Sequence, residues 1–205
     1  MKKDTVPRLI LGVTGGIGSG KSSVCKIFNV LGIPVFYADP EAKEIMNTDE
    51  KVKSELNNIA GKDLFDGGSL NRAELASLIF NDAILLEKVN SLIHPLVFRN
   101  FREWVEQQRS PYVIMEAAIL FESGASKLVD RVLTVVAPVE QRVERVVRGD
   151  KLTRQQVMER MKNQLDDESK IRNSDYAIYN SEDDLIIPAV LRIHDDLLRQ
   201  IQING

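Results

Sequence analysis

Five short runs of apolar and β-branched residues are spaced along this chain, and each predicts a buried strand. Between them lie longer stretches in which apolar residues recur every three or four positions, as on one face of a helix. Strands that alternate with helices are typical of a parallel sheet covered by helices, which is an α/β fold. The predicted strands cover residues 9–13, 33–37, 112–116, 131–136 and 176–179.

The interval between the second and third strands is far longer than the crossover of about a dozen residues that parallel strands require. Its pattern is mainly helical, and we expect no strong strand between residues 48 and 108. The helices expected there cover 41–47, 72–80, 82–93 and 95–108. We therefore predict an inserted helical domain over 40–110, with residues 111–139 and 171–205 returning to the core.

Helix start signals refine this outline. Asn71 with Glu74, and Thr153 with Gln156, have the spacing of capping boxes, so helices are expected to begin just after Asn71 and Thr153. Gly149 and Asp150 predict a break before the second of these helices. Ser181 to Asp184 is expected to cap the last helix, which runs toward residue 201.

One motif carries specific chemistry. Residues 15–22, Gly-Gly-Ile-Gly-Ser-Gly-Lys-Ser, fit G-x-x-x-x-G-K-S between a predicted strand and a helix predicted over 24–31. Glycines that accept positive φ let several N–H groups surround one anion, and the helix N-terminus adds donors and partial positive charge. The residues expected to hold the phosphates of a nucleoside triphosphate are Gly15, Gly16, Ile17, Gly18, Ser19, Gly20, Lys21, Ser22 and Ser23.

Within this loop, Lys21 is expected to be exposed and to reach the outer phosphates. The Ser22 hydroxyl is expected to coordinate Mg²⁺ held by the same phosphates. Two alternatives are a flexible glycine-rich connection and a dinucleotide-binding loop. The first is disfavoured because motif and flanks agree, and the second because G-x-G-x-x-G does not occur in the chain.

Three polar residues follow predicted strands, at the edge where open parallel sheets bind ligands. Asp39 follows the second strand and is either a functional carboxylate or the N-cap of the helix at Pro40, roles that do not exclude each other. Glu116 ends the third strand and is the candidate to support magnesium, with Glu122 as a weaker alternative. Asn180 follows the fifth strand and is expected at the nucleotide site.

The segment 142–162 is basic in an otherwise acidic chain. Arg142, Arg145 and Arg148 would form a roughly one-sided stripe on a helix. Such a stripe is usually a solvated face, but beside a triphosphate site it also fits a lid whose arginines close over the phosphates. We predict a lid over 140–170.

Composition sets the wider bounds. The 205 residues are 43% hydrophobic and 28% charged with a net charge of −3, which is ordinary for a globular protein and disfavours nucleic-acid binding. No apolar run approaches the ~20 residues that span a bilayer. The single Cys25, expected to be buried, fits a reducing compartment. We expect a cytoplasmic protein, without nucleic-acid or membrane partners, that is a monomer or a weak homo-oligomer.

Further motifs accompany the loop at characteristic spacings. They are Val13-Thr14 before the loop, Ala38-Asp39 with Ala42, Leu70-Asn71-Arg72 with Leu75, Ile93-His94-Pro95, Ile119-Leu120-Phe121-Glu122, Gln141 with Arg148, Arg160 with Gln164, and Ser174-Asp175-Tyr176-Ala177-Ile178 before Asn180. With these motifs the chain resembles the dephospho-CoA kinase family over almost its whole length. Three positions depart from the family pattern: Tyr37 and Ala118 replace a common aspartate and proline, and Arg145 is one residue off the usual spacing.

The resemblance implies a single three-layer P-loop kinase domain over 1–205, with a five-stranded, mostly parallel sheet flanked by helices, an inserted CoA-binding subdomain and a lid. It implies transfer of phosphate from ATP, with Mg²⁺, to the ribose 3′-hydroxyl of dephospho-CoA. Asp39, Arg72 and His94 would then contact the substrate, although a lone histidine at a helix junction is more often structural.

We hypothesise that Asp39 orients the acceptor hydroxyl and accepts its proton, and that Arg148 neutralises charge on the transferring group, with Lys21 the third catalytic residue. Another small-molecule or nucleoside monophosphate kinase of the same fold remains an alternative. A GTP-binding switch is a weaker one, because the chain has no D-x-x-G and its Asn163-Gln164-Leu165-Asp166 lacks the lysine of N-K-x-D.

Overall fold

The computed structural model describes residues 9–80, 82–150 and 152–204. These residues separate into two compact units. The first is formed by Met1–Tyr37 together with Gln107–Gly205, and the second by Ala38–Glu106. The second unit is thus an insertion between two segments of the first.

The first unit is built on a five-stranded sheet flanked by helices, as predicted. Its strands are β1 (Leu9–Thr14), β2 (Val35–Tyr37), β5 (Tyr112–Glu116), β6 (Arg131–Val136) and β7 (Tyr176–Tyr179). Their spatial order is β2-β5-β1-β6-β7, and every pairing is parallel. Because β1 lies at the centre and the chain leaves it first to one side and then to the other, a crevice opens at its carboxyl end.

The helices of this unit are α1 (Lys21–Val30), α6 (Val139–Asp150), α7 (Arg154–Lys162), α8 (Asp167–Arg172) and α9 (Ile186–Asn204). Thr153 caps α7 with a complete capping box, as predicted. The predicted cap at Ser181 is wrong: the Asp184 carboxylate accepts the Ser181 N–H within a turn, and α9 begins only at Ile186. Helix α8, capped by Asp166, was not predicted.

The core of the first unit explains why its strands are apolar on both faces. Leu11, Val13, Ile114, Leu133 and Val135 are fully buried between helices. Cys25 is buried in the same cluster, as predicted. Each such aliphatic side chain contributes roughly 1.5–3 kcal/mol on burial. The rigid sheet thereby fixes the positions of the loops at its carboxyl edge.

The second unit contains α2 (Ala38–Thr48), α3 (Glu50–Ala60), α4 (Arg72–Phe80), α5 (Ala83–Gln107) and a hairpin of β3 (Phe65–Asp66) and β4 (Ser69–Leu70). The sequence indicates no strong strand here, and this short hairpin was not predicted. Gly67 and Gly68 have φ of 55° and 83°, the positive values that a tight hairpin turn requires. The strands have only two residues each, too few to show a period of two.

Two predicted helices in this unit are one helix. Pro95 lies inside α5, although proline lacks the N–H that would bond four residues back. The buried residues Val89, Ile93, Val97 and Phe101 recur every four positions on both sides of the proline. Continuous burial of this stripe outweighs the lost hydrogen bond, so the boundary expected at His94 does not exist.

Helix α2 also begins earlier than predicted. It starts at Ala38, so Asp39 and Pro40 lie in its first turn and the N-cap role proposed for Asp39 is wrong. Proline is tolerated there because the first turn leaves its N–H groups unpaired, and an acidic side chain in that turn is favoured by the helix dipole. Over the part of the chain that is described, no helix is both long and apolar enough to cross a bilayer.

Candidate active site at the glycine-rich loop

The loop between β1 and α1 is shaped by glycines in conformations that other residues avoid. Gly20 has a φ of 96° and immediately precedes α1, and a Cβ there would overlap the side-chain amide of Asn180. A Cβ on Gly16 would overlap the Arg142 guanidinium. The loop therefore needs glycine both for backbone conformation and for close approach of neighbouring side chains.

Lys21 is the first residue of α1, and its ammonium folds back over the loop. It donates a hydrogen bond to the Gly15 carbonyl at 3.0 Å and lies 3.8 Å from the Glu116 carboxylate. The Lys21 side chain is 11% exposed, so the expectation of an exposed lysine is wrong. Since both partners are oxygens at the carboxyl ends of β1 and β5, the ammonium is held where those strands meet the loop.

Glu116 lies at the end of β5, beside Val13 of β1 and Tyr37 of β2 in the parallel register. It is buried, with 7% of its side chain exposed, and its carboxylate lies 3.8 Å from the ammonium of Lys21. Its negative charge adds to burial in raising the pKa of the Cys25 thiol. The third strand thus ends, as predicted, in a carboxylate next to the loop lysine.

Both backbone groups of Ile17, in the middle of the loop, are bonded to the segment predicted as a lid. The Ile17 N–H donates to the Gln164 side-chain oxygen at 2.9 Å, and Arg142 donates to the Ile17 carbonyl at 2.9 Å. Arg142 also forms a 2.9 Å ion pair with Asp167. Loop, α6 and α8 are therefore joined through a single guanidinium.

Asn180 connects the end of β7 to the same loop. Its side-chain amide donates to the Ser19 carbonyl at 2.8 Å, and its own carbonyl accepts from Arg145 at 2.9 Å. The three arginines of the predicted stripe lie on one helix but differ in burial. Arg142 is buried, Arg145 is half-buried and Arg148 is exposed, because α6 packs one side against the loop and leaves the other open.

Two buried polar atoms beside the loop have no hydrogen-bond partner among the described residues. They are the Ser19 hydroxyl oxygen and one terminal nitrogen of Arg145. An unsatisfied buried polar group costs roughly 1–3 kcal/mol. The other terminal nitrogen of Arg145 donates to the Asn180 carbonyl beside the loop, so the unpaired cationic donor is suited to an anion, and a phosphate group would satisfy it.

Glu122 and Lys170 form a second link, between the segment that follows β5 and helix α8. The Glu122 carboxylate accepts the Leu165 N–H at 2.7 Å and lies 3.6 Å from the Lys170 ammonium. These contacts use the carboxylate that was the weaker candidate for magnesium. Lys170 was missed in the sequence because a lysine on a short, charged helix gives no sign of burial, yet its side chain is 0% exposed.

The donors at the loop fit a magnesium ion that is held mainly by phosphates. Ser22 is exposed in the first turn of α1, and the Glu116 carboxylate lies at the adjacent strand end. Among the residues described, no cluster of three or more His, Cys, Asp or Glu side chains could hold a metal ion alone. One hydroxyl and one carboxylate agree with Mg²⁺, which keeps waters and binds through few protein ligands plus phosphates.

The remaining predicted residues belong to the second unit. Asp39 is half-buried in the first turn of α2, and Arg72 is exposed at the start of α4. His94 is half-buried within α5 and stacks on Phe98 at 6.0 Å between ring centroids. Burial lowers the pKa of His94, so the imidazole is favoured in its neutral form.

A cavity of about 440 Å³ opens beside Asn180 in the first unit. Its walls include the apolar side chains of Ala137, Pro138, Ile171 and Tyr179, next to the residue that holds the Ser19 carbonyl. The volume and the largely apolar lining suit a small planar group.

Comparison with known proteins shows the family to which the sequence is related. Residues 9–184 match the model of the dephospho-CoA kinase family. The chain is 40% identical over 192 residues to the dephospho-CoA kinase of Bacteroides fragilis (strain YCH46), covering 93% of this chain and 94% of that protein. It is 39% identical over 186 residues to that of Porphyromonas gingivalis, covering 90% and 92%.

Solved structures share the fold. TT1252 from Thermus thermophilus superimposes with a TM-score of 0.82 at 31% identity, covering 95% of this chain and 98% of that one. The dephospho-CoA kinase from Campylobacter jejuni superimposes with a TM-score of 0.67 at 23% identity, covering 92% and 96%, which supports the fold.

Proposed function

This chain belongs to the dephospho-CoA kinase family and phosphorylates dephospho-CoA in the last step of coenzyme A synthesis, and we propose that the loop 15–23 and its neighbours carry out the transfer. The donor is ATP, and the acceptor is the ribose 3′-hydroxyl. The observation that carries the proposal is the Lys21 ammonium, held by the Gly15 carbonyl and Glu116 at the mouth of the loop.

In the proposed arrangement, Gly15 to Ser23 bind the ATP phosphates through backbone N–H groups. Lys21 leaves the Gly15 carbonyl for the outer phosphates, where its charge opposes the negative charge that develops during transfer. The Asn180 side chain contributes indirectly, because it holds the Ser19 carbonyl and so fixes the loop. We assign the cavity beside Asn180 to the adenine base.

Ser22 and Glu116 are the residues proposed to hold Mg²⁺, Glu116 through water. When bound, the ion would neutralise phosphate charge during transfer. The contribution of the protein is the placement of the hydroxyl and carboxylate on rigid elements. The Lys21 ammonium and the Glu116 carboxylate, which are paired in this structure, would then both face the bound phosphates and their metal ion.

We assign dephospho-CoA binding to the second unit, Ala38–Glu106, which corresponds to the insertion predicted at 40–110. Asp39 is proposed to orient the acceptor hydroxyl and accept its proton, with Arg72 and His94 contacting the substrate. Arg148, exposed on α6, is proposed to act from the lid over 140–170 when both substrates are bound. An exposed arginine is free to move with a lid.

The bacterial relatives and the free Cys25 thiol support a cytoplasmic location. We propose that the enzyme acts there as a monomer or weak homo-oligomer, without nucleic-acid or membrane partners.

The direct test is ADP release in a coupled assay with dephospho-CoA, using adenosine and a nucleoside monophosphate as competing acceptors. We expect turnover with dephospho-CoA to exceed turnover with either alternative by more than 10²-fold, because a site that pairs with polar substrate groups discriminates strongly against acceptors lacking them. Comparable turnover with a nucleoside monophosphate would overturn the assignment of the acceptor. Product identity is confirmed by mass spectrometry of the phosphorylated acceptor.

A further inference from the structure

A fully buried lysine lies next to the site and has no role in the mechanism above. The Lys170 ammonium on α8 approaches two oxygens, the Ala118 carbonyl at 3.5 Å and the Glu122 carboxylate at 3.6 Å. Both distances exceed the 2.7–2.9 Å usual for charge-assisted hydrogen bonds, so the ammonium is only loosely paired.

The two partners of Lys170 lie at the ends of one short segment. Ala118 comes two residues after Glu116, and the Thr14 hydroxyl also donates to its carbonyl at 3.4 Å. Glu122 closes the segment and accepts the Leu165 N–H at 2.7 Å. Lys170 thus holds residues 118–122, which we call the β5 exit, from both ends.

The β5 exit connects to the catalytic groups by two routes. At its start, Glu116 pairs with Lys21. At its end, Leu165 follows Gln164, whose side-chain oxygen accepts the Ile17 N–H of the loop at 2.9 Å. A shift of the β5 exit would therefore reach both the loop lysine and the loop backbone.

Burying a lysine lowers the stability of the fold unless other interactions of the ammonium compensate for its lost hydration. A buried ion pair often adds no stability over an apolar pair of similar volume, so its presence is better explained by what it positions. Burial and the nearby charges of Lys21 and Arg142 lower the pKa of Lys170, while Glu122 opposes the change. The ammonium is therefore within electrostatic range of the loop lysine as well as in contact with the β5 exit.

We propose that Lys170 is a positioning residue for phosphoryl transfer, holding the β5 exit so that Glu116, Lys21 and the loop keep their reactive arrangement. It acts through Ala118 and Glu122 without touching the substrate. This inference starts from the family's reaction and concerns how this chain organises it.

The test compares Lys170→Met with the double variant Lys170→Met/Glu122→Gln. The single variant leaves Glu122 without its cation and is expected to lower the melting temperature. The double variant removes both charges, and we expect it to recover most of that loss. If Lys170 positions the site, kcat stays at least tenfold below that of the parent in both variants. A displacement of reacting groups by about 1 Å lowers the rate roughly 10²-fold.

Binding measurements separate positioning from substrate contact. The KM for dephospho-CoA and the Kd for ATP are expected to stay within threefold of the parent. Lys26→Met is the control, because Lys26 is exposed on α1 and lies outside both the loop 15–23 and the lid. It should leave kcat unchanged.

A double variant with kcat within twofold of the parent would overturn the proposal and leave the pair purely structural. A parallel rise in Kd for ATP that accounts for the lost turnover would overturn it as well. If the double variant fails to fold, Glu122→Gln alone decides. Glutamine still accepts the Leu165 N–H, so a kcat equal to the parent would show that the charge on this pair does not position the site.

Discussion

Replacement of Arg142 by methionine tests whether the loop is held by the lid segment. The guanidinium donates to the Ile17 carbonyl and pairs with Asp167, each at 2.9 Å, and its side chain is 4% exposed. Methionine keeps much of the volume and removes both interactions. The neighbouring Gly16 has no side chain that could replace the lost contact.

The expected loss of stability follows from what is left unpaired. Breaking a buried ion pair costs roughly 3–5 kcal/mol, and a buried carbonyl without a donor roughly 1–3 kcal/mol. Asp167 is 30% exposed, so water partly replaces its cation and lowers the first figure. We expect a total of about 2–4 kcal/mol. At 2–4 °C per kcal/mol for a chain of this size, the melting temperature should fall by about 5–15 °C.

Circular dichroism melts of the parent and Arg142→Met give this shift, and the ADP-release assay gives the effect on turnover. Because Ile17 lies in the phosphate-binding loop, we expect kcat to fall at least tenfold at a temperature where both proteins are folded. Arg154→Met is the control, since Arg154 pairs with Glu140 at 2.8 Å but both side chains are more than half exposed. Such exposed ion pairs contribute little to the free energy of unfolding.

A melting temperature within 2 °C of the parent would refute the argument that Arg142 carries a buried connection. Unchanged kcat with a lowered melting temperature would show that the connection stabilises the fold without shaping the loop. An equally large fall in melting temperature for Arg154→Met would show that the effect comes from losing any positive charge in the lid, and not from the buried contacts of Arg142.

Three further substitutions test the proposed catalytic residues. Lys21→Met should lower kcat by roughly 10²-fold or more at a temperature where the parent and the variant are both folded, and near-normal turnover would remove this lysine from the mechanism. The melting temperature should fall as well, because the change removes the ammonium that lies 3.8 Å from the buried Glu116 carboxylate. Arg148→Ala should lower kcat more than it weakens ATP binding measured without acceptor, whereas an equal fall in affinity would make Arg148 a ground-state ligand. Asp39→Asn should lower kcat by ~10²–10⁴-fold with ATP affinity intact, and a loss below about tenfold would leave the mechanism without its base.

The fold was predictable in its core because its signals are local. β5, β6 and β7 have the predicted bounds, and α7 begins at its predicted capping box. An apolar run that predicts a buried strand is defined by a few neighbouring residues in the sequence, and so is a capping box. The same holds for the loop 15–22, whose glycines and lysine stand next to one another in the chain.

The second unit was predicted less well because its decisive interactions are not local. Pro95 is a breaker by itself, and only the packing of Val89 and Phe101 on one continuous stripe makes α5 a single helix. The β3–β4 hairpin has strands too short to show alternation, and the turn at Gly67 and Gly68 was not predicted. Local propensity is a weak prior where tertiary packing opposes it.

The sequence by itself determined the sheet, the phosphate-binding loop and the carboxylate that ends β5, since each depends on contiguous residues. The tertiary structure decided which cations reach that loop. Arg142 contacts Ile17 across 125 positions and Lys170 contacts Ala118 across 52, while Arg148 on the same helix as Arg142 stays exposed. Burial of a charged side chain depends on which distant segments pack around it. The residues next to it in the sequence therefore do not predict whether it is buried.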